Sequence, residues 1–342
     1  MIPAKDSHKR DGYFDSWIPV NLYRRAALAV LFLLISSSMN RAADGSAILT
    51  VDADGSAQYK TVQAAIDAVP ARNTTPVVIQ IAPGHYEERV VLPRDKPFVT
   101  LRGTGDKRTD VWIGGPAGKT APLVIHGADT RVENLTTENT AGATAGPQQA
   151  FYVDGKRVVI ENVQMNGWQD TLGIWDGALA YFHKCVILGS VDFVYSGGTA
   201  VLDDCDILER RDIGGVIAAP STPAKETYGL VFLKCHLTQT PEAKNAVTSL
   251  MRPWGPTGQT AFINCKMNNI TPTGWDKWDG REKSCRAVEY GSVGEDGNKI
   301  DLSQRSPWVQ RLTDEEAAAY TLPGILNVWD PLTPTSQPMA SH

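Results

Sequence analysis

The sequence predicts an all-β solenoid built from one elongated domain, and the prediction rests on a repeat and its spacing. Six short segments share one pattern: a strand-like run leads to a polar residue, then a Cys or aliphatic residue, one variable residue and another apolar side chain. The segments are Arg131–Thr137, Val159–Met165, Tyr181–Ile187, Val201–Ile207, Val231–Leu237 and Ala261–Met267. Their equivalent positions, 135, 163, 185, 205, 235 and 265, lie 28, 22, 20, 30 and 30 residues apart. Self-similarity at this period, with one β-rich unit per repeat, is typical of a β-solenoid.

The repeated position indicates how the core of the solenoid is filled. It is Leu135, then Val163, and then a Cys in each of the last four repeats. Strands of successive coils pair in parallel at roughly 4.8 Å, so each of these side chains stacks on the one from the previous coil. A small apolar thiol suits such a stack, and a buried thiol is inert. We therefore expect the cysteines to pack in the core. A disulfide or metal role is the alternative, although five is an odd number and the spacings resemble no zinc pattern.

Helices are expected at the two ends of the solenoid. Thr61–Val69 has the pattern of a short amphipathic helix that ends before Pro70 and caps the N-terminal coil, whose edge is otherwise unpaired. Thr313 can N-cap a second helix that continues to Tyr320, with three acidic residues in its first turn. Residues 331–342 are rich in Pro, Ser and Thr and are expected to form a disordered tail.

Residues 1–43 are expected to be a targeting leader, followed by the solenoid domain at 44–330. Arg24 and Arg25 precede ten apolar residues, Ala26–Ile35, and a run of Ser. Ten apolar residues are too few to span a bilayer but fit the central region of a signal peptide. We therefore expect a secreted protein (extracellular, or periplasmic or outer-surface in a bacterium) with no membrane contact in its mature form. A signal anchor, or a start codon placed too far upstream, is the alternative for so long a leader.

Composition limits the range of partners. The 342 residues are 42% hydrophobic and 21% charged, with a net charge of −5, which argues against intrinsic disorder and against nucleic-acid binding. An acidic protein does not attract a polyanion through its net charge, so any such affinity must come from locally placed Arg, Lys and aromatic side chains. The six His residues show no pairing or metal-ligand spacing, which leaves a zinc hydrolase or a Ser-His-Asp hydrolase unsupported.

Two aspartates at the spacing of one coil are the first candidates for catalysis. Asp170 lies in the run Gln169–Leu172, and Asp192 begins the run Asp192–Tyr195, 22 residues later. One turn of the solenoid should therefore place their carboxyl groups side by side. Two carboxylates held close do not both ionise easily, so one can stay charged and attack while the other keeps a proton and acts as a general acid. The alternative is that both are ordinary turn residues.

A third candidate element is Arg252-Pro253-Trp254. The Arg guanidinium is a fixed cation with a planar fork that can hold a carboxylate through two hydrogen bonds. Pro253 stiffens the chain, and Trp254 offers a flat face to a sugar ring. The alternative is a surface Arg beside a structural Trp.

Taken together, these segments resemble those of the pectin methylesterase family. Gln169–Leu172, Asp192–Tyr195 and Arg252–Trp254 are similar to its three active-site segments, in order and in spacing, and Gly84–Glu88 resembles its G-x-Y-x-E segment. The similarity runs from Val51 to Trp329, about four fifths of the chain. The resemblance implies a right-handed parallel β-helix of the single-stranded, pectin-lyase-like type with a short N-terminal capping helix. It also implies a carboxylic ester hydrolase that uses no cofactor and no metal.

The resemblance further implies a role for each residue of these segments. Asp192 would be the nucleophile that attacks the methyl-ester carbonyl at C6 of a galacturonate unit in homogalacturonan and forms an acyl-enzyme. Asp170 would protonate the departing methanol and then activate water. Gln169 would donate to the oxyanion, and Arg252 would hold Asp192 ionised and aimed. The substrate-binding residues would be Trp254, Trp275, Tyr195 and Gln149.

The sequence departs from the family pattern at several places near these residues. The second oxyanion glutamine is expected within residues 147–149, and either Gln148, which we favour, or Gln149 would take that role. Gly173 stands where many members carry an aromatic residue, so one wall of the substrate site is lost or supplied elsewhere. Tyr195 stands where Phe is typical, and Ser196 and Met251 each replace a typical Gly.

Other functions remain open at this level. A polysaccharide lyase or a glycosidase could use the same solenoid, but the glutamine directly before Asp170 and the Arg-Pro-Trp segment favour ester cleavage. The further alternatives are an esterase or thioesterase for a non-pectin acyl substrate and a non-catalytic β-helix that binds carbohydrate. The intact catalytic residues argue against the last. The expected partner is pectin (homogalacturonan), with no nucleic acid, and the protein is expected to be a monomer.

Overall fold

The structure is a computed structural model that describes residues 40–41, 45–117, 120–175 and 177–333. The expected leader therefore lies outside the described residues except at 40–41, and so does the expected tail beyond residue 333. Within the described part of the chain, no helix combines the length and the apolar character needed to cross a bilayer.

The described residues are organised mainly as short β-strands. The strands are β1 (Asn40–Arg41), β2 (Ala47–Val51), β3 (Val77–Ile81), β4 (Gly84–Glu87), β5 (Val90–Leu92), β6 (Val99–Gly103), β7 (Val111–Gly115), β8 (Leu123–Ile125), β9 (Arg131–Asn139), β10 (Phe151–Val153), β11 (Lys156–Asn166), β12 (Leu172–Ile174), β13 (Leu179–His183), β14 (Val186–Gly189), β15 (Val191–Ser196), β16 (Thr199–Asp203), β17 (Asp206–Glu209), β18 (Val216–Pro220), β19 (Leu230–Leu233), β20 (His236–Gln239), β21 (Ser249–Met251), β22 (Gln259–Ile263), β23 (Lys266–Met267), β24 (Arg286–Tyr290), β25 (Val293–Gly294) and β26 (Gln310–Arg311). The α-helices are α1 (Val62–Ala68), α2 (Asp314–Ala317) and α3 (Leu322–Ile325). Single 3-10 turns lie at Arg108–Asp110, Pro241–Ala243 and Arg281–Lys283.

Strands of one coil pair in parallel with the equivalent strands of the next coil, and these pairs form three sheets. Sheet A runs β5-β8-β10-β12-β15-β18-β21. Sheet B runs β2-β3-β6-β9-β11-β13-β16-β19-β22-β24-β26. Sheet C runs β4-β7-β9-β11-β14-β17-β20-β23-β25. Strands β9 and β11 are long enough to belong to both B and C, and the result is a parallel β-helix.

Sheets B and C meet at a bend in the left-handed backbone conformation. In all six repeats the residue before the repeated Leu, Val or Cys has a φ of 51° to 54°; these residues are Asn134, Asn162, Lys184, Asp204, Lys234 and Asn264. A positive φ turns the chain sharply, and Asn and Asp adopt it more readily than other side chains. Each repeat is one β-rich unit, as predicted, and in the four Cys repeats the bend divides this unit into two strands, such as β13 and β14.

The repeated side chains stack into a column inside the coils. Cys185, Cys205, Cys235 and Cys265 are at most 1% exposed, belong to the main hydrophobic core and form no disulfide. The prediction that cysteines fill the core is confirmed for these four, whereas Cys285 is partly buried at the edge of the core. Burial raises the pKa of the first three of these thiols well above the usual value, so they stay protonated and unreactive.

Helix α1 lies at the N-terminal end of the core, where a capping helix was predicted. Thr61 is its N-cap, and the Glu88 carboxylate accepts hydrogen bonds from the backbone N–H groups of Val62 at 2.7 Å and Gln63 at 3.0 Å. An acidic group at a helix N-terminus satisfies free N–H donors and complements the helix dipole. The apolar face of α1 packs against β2, β3 and β5. The G-x-Y-x-E segment therefore has a structural role through Glu88.

The C-terminal segment packs against the outer face of sheet B. Helix α2 begins as predicted, because Thr313 and Glu316 form a reciprocal capping box. It ends at Ala317 rather than at Tyr320, because Thr321 N-caps the separate helix α3. Apolar residues of this segment and of sheet B then form a second hydrophobic cluster, which includes Val201, Val231, Ile325, Leu326 and Trp329.

Thiol labelling tests the cysteine column. We expect iodoacetamide at about pH 8 to modify the folded protein slowly and only at Cys285, because its half-buried thiol has a pKa raised to about 11 by burial and little thiolate is present. In denaturant all five cysteines should react. Intact-mass spectrometry counts the adducts, and rapid modification of two or more thiols in the folded protein would contradict the packing described.

Candidate active site

A cleft of about 480 Å³ lies over sheet A. It brings together side chains from successive coils, and most of the residues predicted to carry chemistry are among them. The cleft is lined by Pro147, Gln169, Asp170, Trp175, Asp192, Tyr195, Ala219, Arg252, Trp254 and Trp278.

The parallel register of the coils makes Asp170 and Asp192 neighbours. Gln169 forms parallel bridges with Pro147 on one side and Val191 on the other, and the Asp170 N–H donates to the Val191 carbonyl at 3.0 Å. The residues that follow in each coil, Asp170 and Asp192, therefore lie side by side. Both have a positive φ, 61° and 51°, and sparsely populated backbone conformations of this kind persist where the surrounding structure fixes them. The predicted juxtaposition is present.

Arg252 holds Asp192 through both of its carboxylate oxygens. Its Nε donates to Oδ1 at 2.7 Å and its Nη2 donates to Oδ2 at 2.6 Å. Its backbone N–H donates to the Ala218 carbonyl, which fixes Arg252 to the preceding coil of sheet A. The guanidinium also lies 4.3 Å from the centroid of the Trp278 ring. A charge-assisted, two-point contact of this kind fixes both the charge and the orientation of the carboxylate.

Burial and charge give the two carboxyl groups different proton affinities. Burial raises the pKa of Asp192 above its usual value, and the hydrogen bonds and charge of Arg252 oppose that effect. Asp170 receives no hydrogen bond from Arg252. Burial first, and the neighbouring charge of Asp192 second, raise the pKa of Asp170 to about 7, which the charge of Arg252 offsets only in part. At pH values up to about 7, at least half of the Asp170 carboxyl groups therefore hold a proton, while the arginine-paired Asp192 is the more readily ionised member.

Of the two glutamines considered for a second oxyanion donor, Gln149 lies at the edge of the cleft. Its side-chain amide donates to the Tyr195 hydroxyl. Gln148, which we favoured, is fully buried, and its amide donates to the Gly142 carbonyl inside the protein. Pro147 supplies the surface that lines the cleft at this coil.

Tyr195 takes the space left by Gly173 on the neighbouring coil. The two residues are register partners in β12 and β15. A Cβ atom on Gly173 would lie 2.7 Å from the Tyr195 hydroxyl oxygen, so a side chain at position 173 would require the Tyr195 ring to move. The aromatic wall expected to be missing at Gly173 is thus supplied by Tyr195 from one coil on. Ser196 turns inward and donates to the Gly198 carbonyl at 2.8 Å.

Three aromatic rings form one side of the cleft. Trp175, Tyr195 and Trp254 have mutual centroid distances of 5.8 to 6.0 Å. Trp254 was predicted from the sequence, and 38% of its surface is exposed. Trp175 and Trp278 were missed. Trp175 could have been found, because it lies two residues after Gly173 and strand alternation gives both the same face; for Trp278 the sequence carries no comparable signal.

Trp275 does not line the cleft, and the prediction that it flanks a sugar ring is wrong. It is 1% exposed and packs in the core against Phe262, with ring centroids 5.6 Å apart. Its indole Nε1 donates to the buried Glu289 carboxylate at 3.2 Å. The Gly-Trp pair gave no indication of which face the indole would take.

Comparison with known proteins gives a consistent result. The family model for pectinesterase matches residues 48–327. Pectinesterase 31 of Arabidopsis thaliana is 32% identical over 292 residues, which cover 80% of this chain and 90% of that protein. The solved pectin methylesterase from carrot is 29% identical with a TM-score of 0.75, over 82% of this chain and 93% of that one. A solved pectin methylesterase in complex with a hexasaccharide is 28% identical with a TM-score of 0.68, over 84% and 98% of the two chains.

The length of the match differs among relatives. Curated relatives named as probable pectinesterase/pectinesterase inhibitors are longer, and the chain spans 48% to 52% of their length. The solved pectin methylesterases are right-handed parallel β-helices, so the predicted fold class is confirmed. Because the family model covers most of the sequence, the chain belongs to the pectinesterase family of carboxylic ester hydrolases.

Proposed function

We propose that this protein is a pectin methylesterase that hydrolyses the C6 methyl esters of homogalacturonan and releases methanol. The observation that carries the proposal is the carboxyl pair over sheet A. Asp192 is gripped by Arg252 at 2.6 and 2.7 Å, and the pKa of the adjacent Asp170 is raised to about 7. A fixed carboxylate next to a protonated carboxyl, in a cleft walled by aromatic rings, suits attack on an ester of a sugar acid.

In the first step Asp192 is the nucleophile. One carboxylate oxygen attacks the ester carbonyl carbon, and the carbonyl oxygen takes up the negative charge. The Gln169 amide is the proposed donor to this oxyanion, a contribution worth roughly 3 kcal/mol in comparable sites. As the tetrahedral intermediate collapses, the bond to the methoxy group breaks and Asp170 gives its proton to the leaving oxygen. Methanol departs, and an acid anhydride joins Asp192 to the substrate acyl group.

In the second step Asp170, now ionised, is a general base. It takes a proton from water as the water oxygen attacks the acyl carbon of the anhydride. The bond to Asp192 breaks, which returns that carboxylate to Arg252, and the galacturonate carboxyl is freed. Asp170 ends the cycle protonated, so protons balance with no further residue involved.

The glutamines near residue 149 are assigned separate roles in this proposal. Gln149 positions the Tyr195 hydroxyl, because its amide donates to that oxygen. Gln148 maintains the inner turn through Gly142, because its side chain is buried. Gln169 then remains as the side-chain donor to the oxyanion.

The proposed partner is a pectin chain that binds along the cleft. Trp254 and Trp175 are both partly exposed and present flat faces of the kind on which pyranose rings stack. Among the described residues that line the cleft, the basic side chain is Arg252, and it forms an ion pair with Asp192. We propose that the mature protein acts outside the cell, after removal of a leader within residues 1–43, and that it acts as a monomer.

Replacing the nucleophile tests the reaction. Asp192→Asn should reduce methanol release from highly methylated pectin by at least about 1,000-fold, because an amide cannot form the acyl-enzyme. The control is Asp204→Asn, since Asp204 has the same backbone conformation (φ 52°) but is exposed at the bend between sheets B and C. That variant should keep parental activity. Near-parental methanol release by Asp192→Asn, or release of new reducing ends or unsaturated products by the parent, would refute the assignment.

The pH dependence of kcat/KM should be bell-shaped. Asp192 must be ionised, so activity falls as pH drops through the pKa of Asp192. Asp170 must hold a proton, and because its pKa is raised to about 7, activity should fall again as pH rises above about 7. Initial rates of methanol release across pH test this. A profile that stays flat to about pH 9 would contradict the role of Asp170 as the acid.

A matched pair of tryptophan substitutions separates the cleft from the core. Trp254→Leu should raise KM several-fold and leave the melting temperature nearly unchanged, because the exposed indole contacts substrate. Trp275→Leu should leave KM unchanged and lower the free energy of unfolding by about 3 kcal/mol, since it removes a buried ring and its hydrogen bond to Glu289. Kinetics and thermal unfolding of both variants check this, and a raised KM in Trp275→Leu with normal stability would contradict the structural assignment.

A further inference from the structure

A third aspartate lies beside Arg252, one coil beyond it. Met251 and Trp275 form a parallel bridge, and the Asp276 N–H donates to the Met251 carbonyl at 2.9 Å. Met251 and Trp275 both belong to the buried core. The next residue on each coil, Arg252 and Asp276, therefore projects to the other side of the sheet, and the two are register neighbours at the spacing of adjacent strands. The same relation makes Asp170 and Asp192 neighbours.

The Asp276 carboxylate is fixed by a residue other than Arg252. The Ser249 hydroxyl, which is buried, donates to Asp276 Oδ1 at 2.9 Å. The two hydrogen bonds from Arg252 to a carboxylate both go to Asp192. Asp276 is thus held near the guanidinium without competing for its donors, and acts on it through charge.

Three ionisable groups lie near Asp192. Arg252 lowers the pKa of Asp192, Asp276 raises it by its charge, and Asp170 is the neighbour whose own pKa is raised by Asp192. The same three carboxylates raise the pKa of Arg252. The guanidinium of Arg252 therefore interacts with three acidic side chains. Arg252 stabilises the ionised form of Asp192, and the negative charge of Asp276 opposes that stabilisation.

We propose that Asp276 is a positioning residue that acts through Arg252: held by Ser249 beside the guanidinium, its carboxylate remains as a counter-charge when Asp192 is esterified. The inference rests on the proposed role of Asp192 as the nucleophile. Esterification removes the negative charge of Asp192, and Arg252 would otherwise face a neutral group inside a half-buried site. The fixed charge of Asp276 beside Arg252 lowers the free-energy cost of esterifying Asp192. It also keeps the Asp192 carboxylate more basic and therefore a better nucleophile.

The test is the pH profile of Asp276→Asn against a matched control. Asn keeps the shape and can still accept the Ser249 hydrogen bond, so only the charge is removed. Because the charge of Asp276 raises the pKa of Asp192, its removal lets Asp192 ionise at lower pH. The acid limb of kcat/KM for methanol release should move down by about 0.5 to 1.5 pH units, from the Coulomb energy at neighbouring-strand distance. At neutral pH, kcat should fall as well. Asp279→Asn removes an exposed carboxylate from the same loop and should reproduce the parental profile.

Two further variants keep the test decisive. If thermal unfolding shows that Asp276→Asn does not fold, Ser249→Ala carries the test, because it releases the carboxylate towards solvent and should move the acid limb in the same direction by less. Asp276→Glu, which restores the charge, should bring the acid limb back towards the parental position.

The proposal is overturned if the acid limb stays in place or moves up, or if Asp279→Asn moves it equally. Asp192→Asn is measured alongside. If Asp192→Asn is inactive and the acid limb of Asp276→Asn is unshifted, the inference about Asp276 alone fails. If Asp192→Asn retains methanol release, the proposed nucleophile fails, whatever the result at Asp276.

Discussion

In-register parallel pairing of the strands of sheet A is the constraint on which the site depends. Pairing of Gln169 with Val191 makes their successors, Asp170 and Asp192, neighbours, and pairing of Met251 with Trp275 does the same for the residues after them. A shift of one residue in either pair would turn a charged side chain into the core, where an unpaired charge is costly. The buried residues of sheet A therefore fix the register of its strands. That register in turn fixes which polar residues lie next to each other in the cleft.

Left-handed backbone conformations at two places in the fold serve different purposes. At the bend between sheets B and C they recur in every repeat, and Asn162 there donates to the Asn134 side chain at 2.8 Å, so the bend is itself stacked. Over sheet A they occur at Asp170 and Asp192. Each such residue costs on the order of 1 kcal/mol or more, which the repeated inter-coil hydrogen bonds offset. The left-handed residues at the bend turn the chain from sheet B to sheet C, whereas those at Asp170 and Asp192 set the direction of the two carboxyl groups in the cleft.

The fold and the three charged residues Asp170, Asp192 and Arg252 could be predicted from the sequence. The aromatic residues Trp175 and Trp278 that line the cleft were not predicted. The repeated core positions gave the coil length, which is 22 residues between Val163 and Cys185. That length placed Asp170 beside Asp192, because equivalent residues of successive coils pair side by side. Trp275 and Gln148 belong to no strand that the sequence predicted, so alternation along a strand could not show that their side chains are buried. The sequence also did not show that the Tyr195 side chain fills the space beside Gly173. The two residues lie on neighbouring coils, and neither segment by itself indicates their contact.

The division of labour between the two carboxyl groups follows from which of them the arginine touches. Both aspartates are buried enough for desolvation to be the largest cause of a raised pKa. For Asp192 the two short hydrogen bonds from Arg252 stabilise the charged form and oppose that effect. Asp170 has the charge of Arg252 but none of its hydrogen bonds, and it also faces the negative charge that Arg252 preserves on Asp192. One guanidinium therefore keeps one carboxyl group charged and, through that charge, keeps the other protonated. Removing the arginine would raise the pKa of Asp192 and weaken the distinction between the two aspartates. The charge of Asp276 acts in the same direction on the pKa of Asp192, so it bears on both carboxyl groups of the pair.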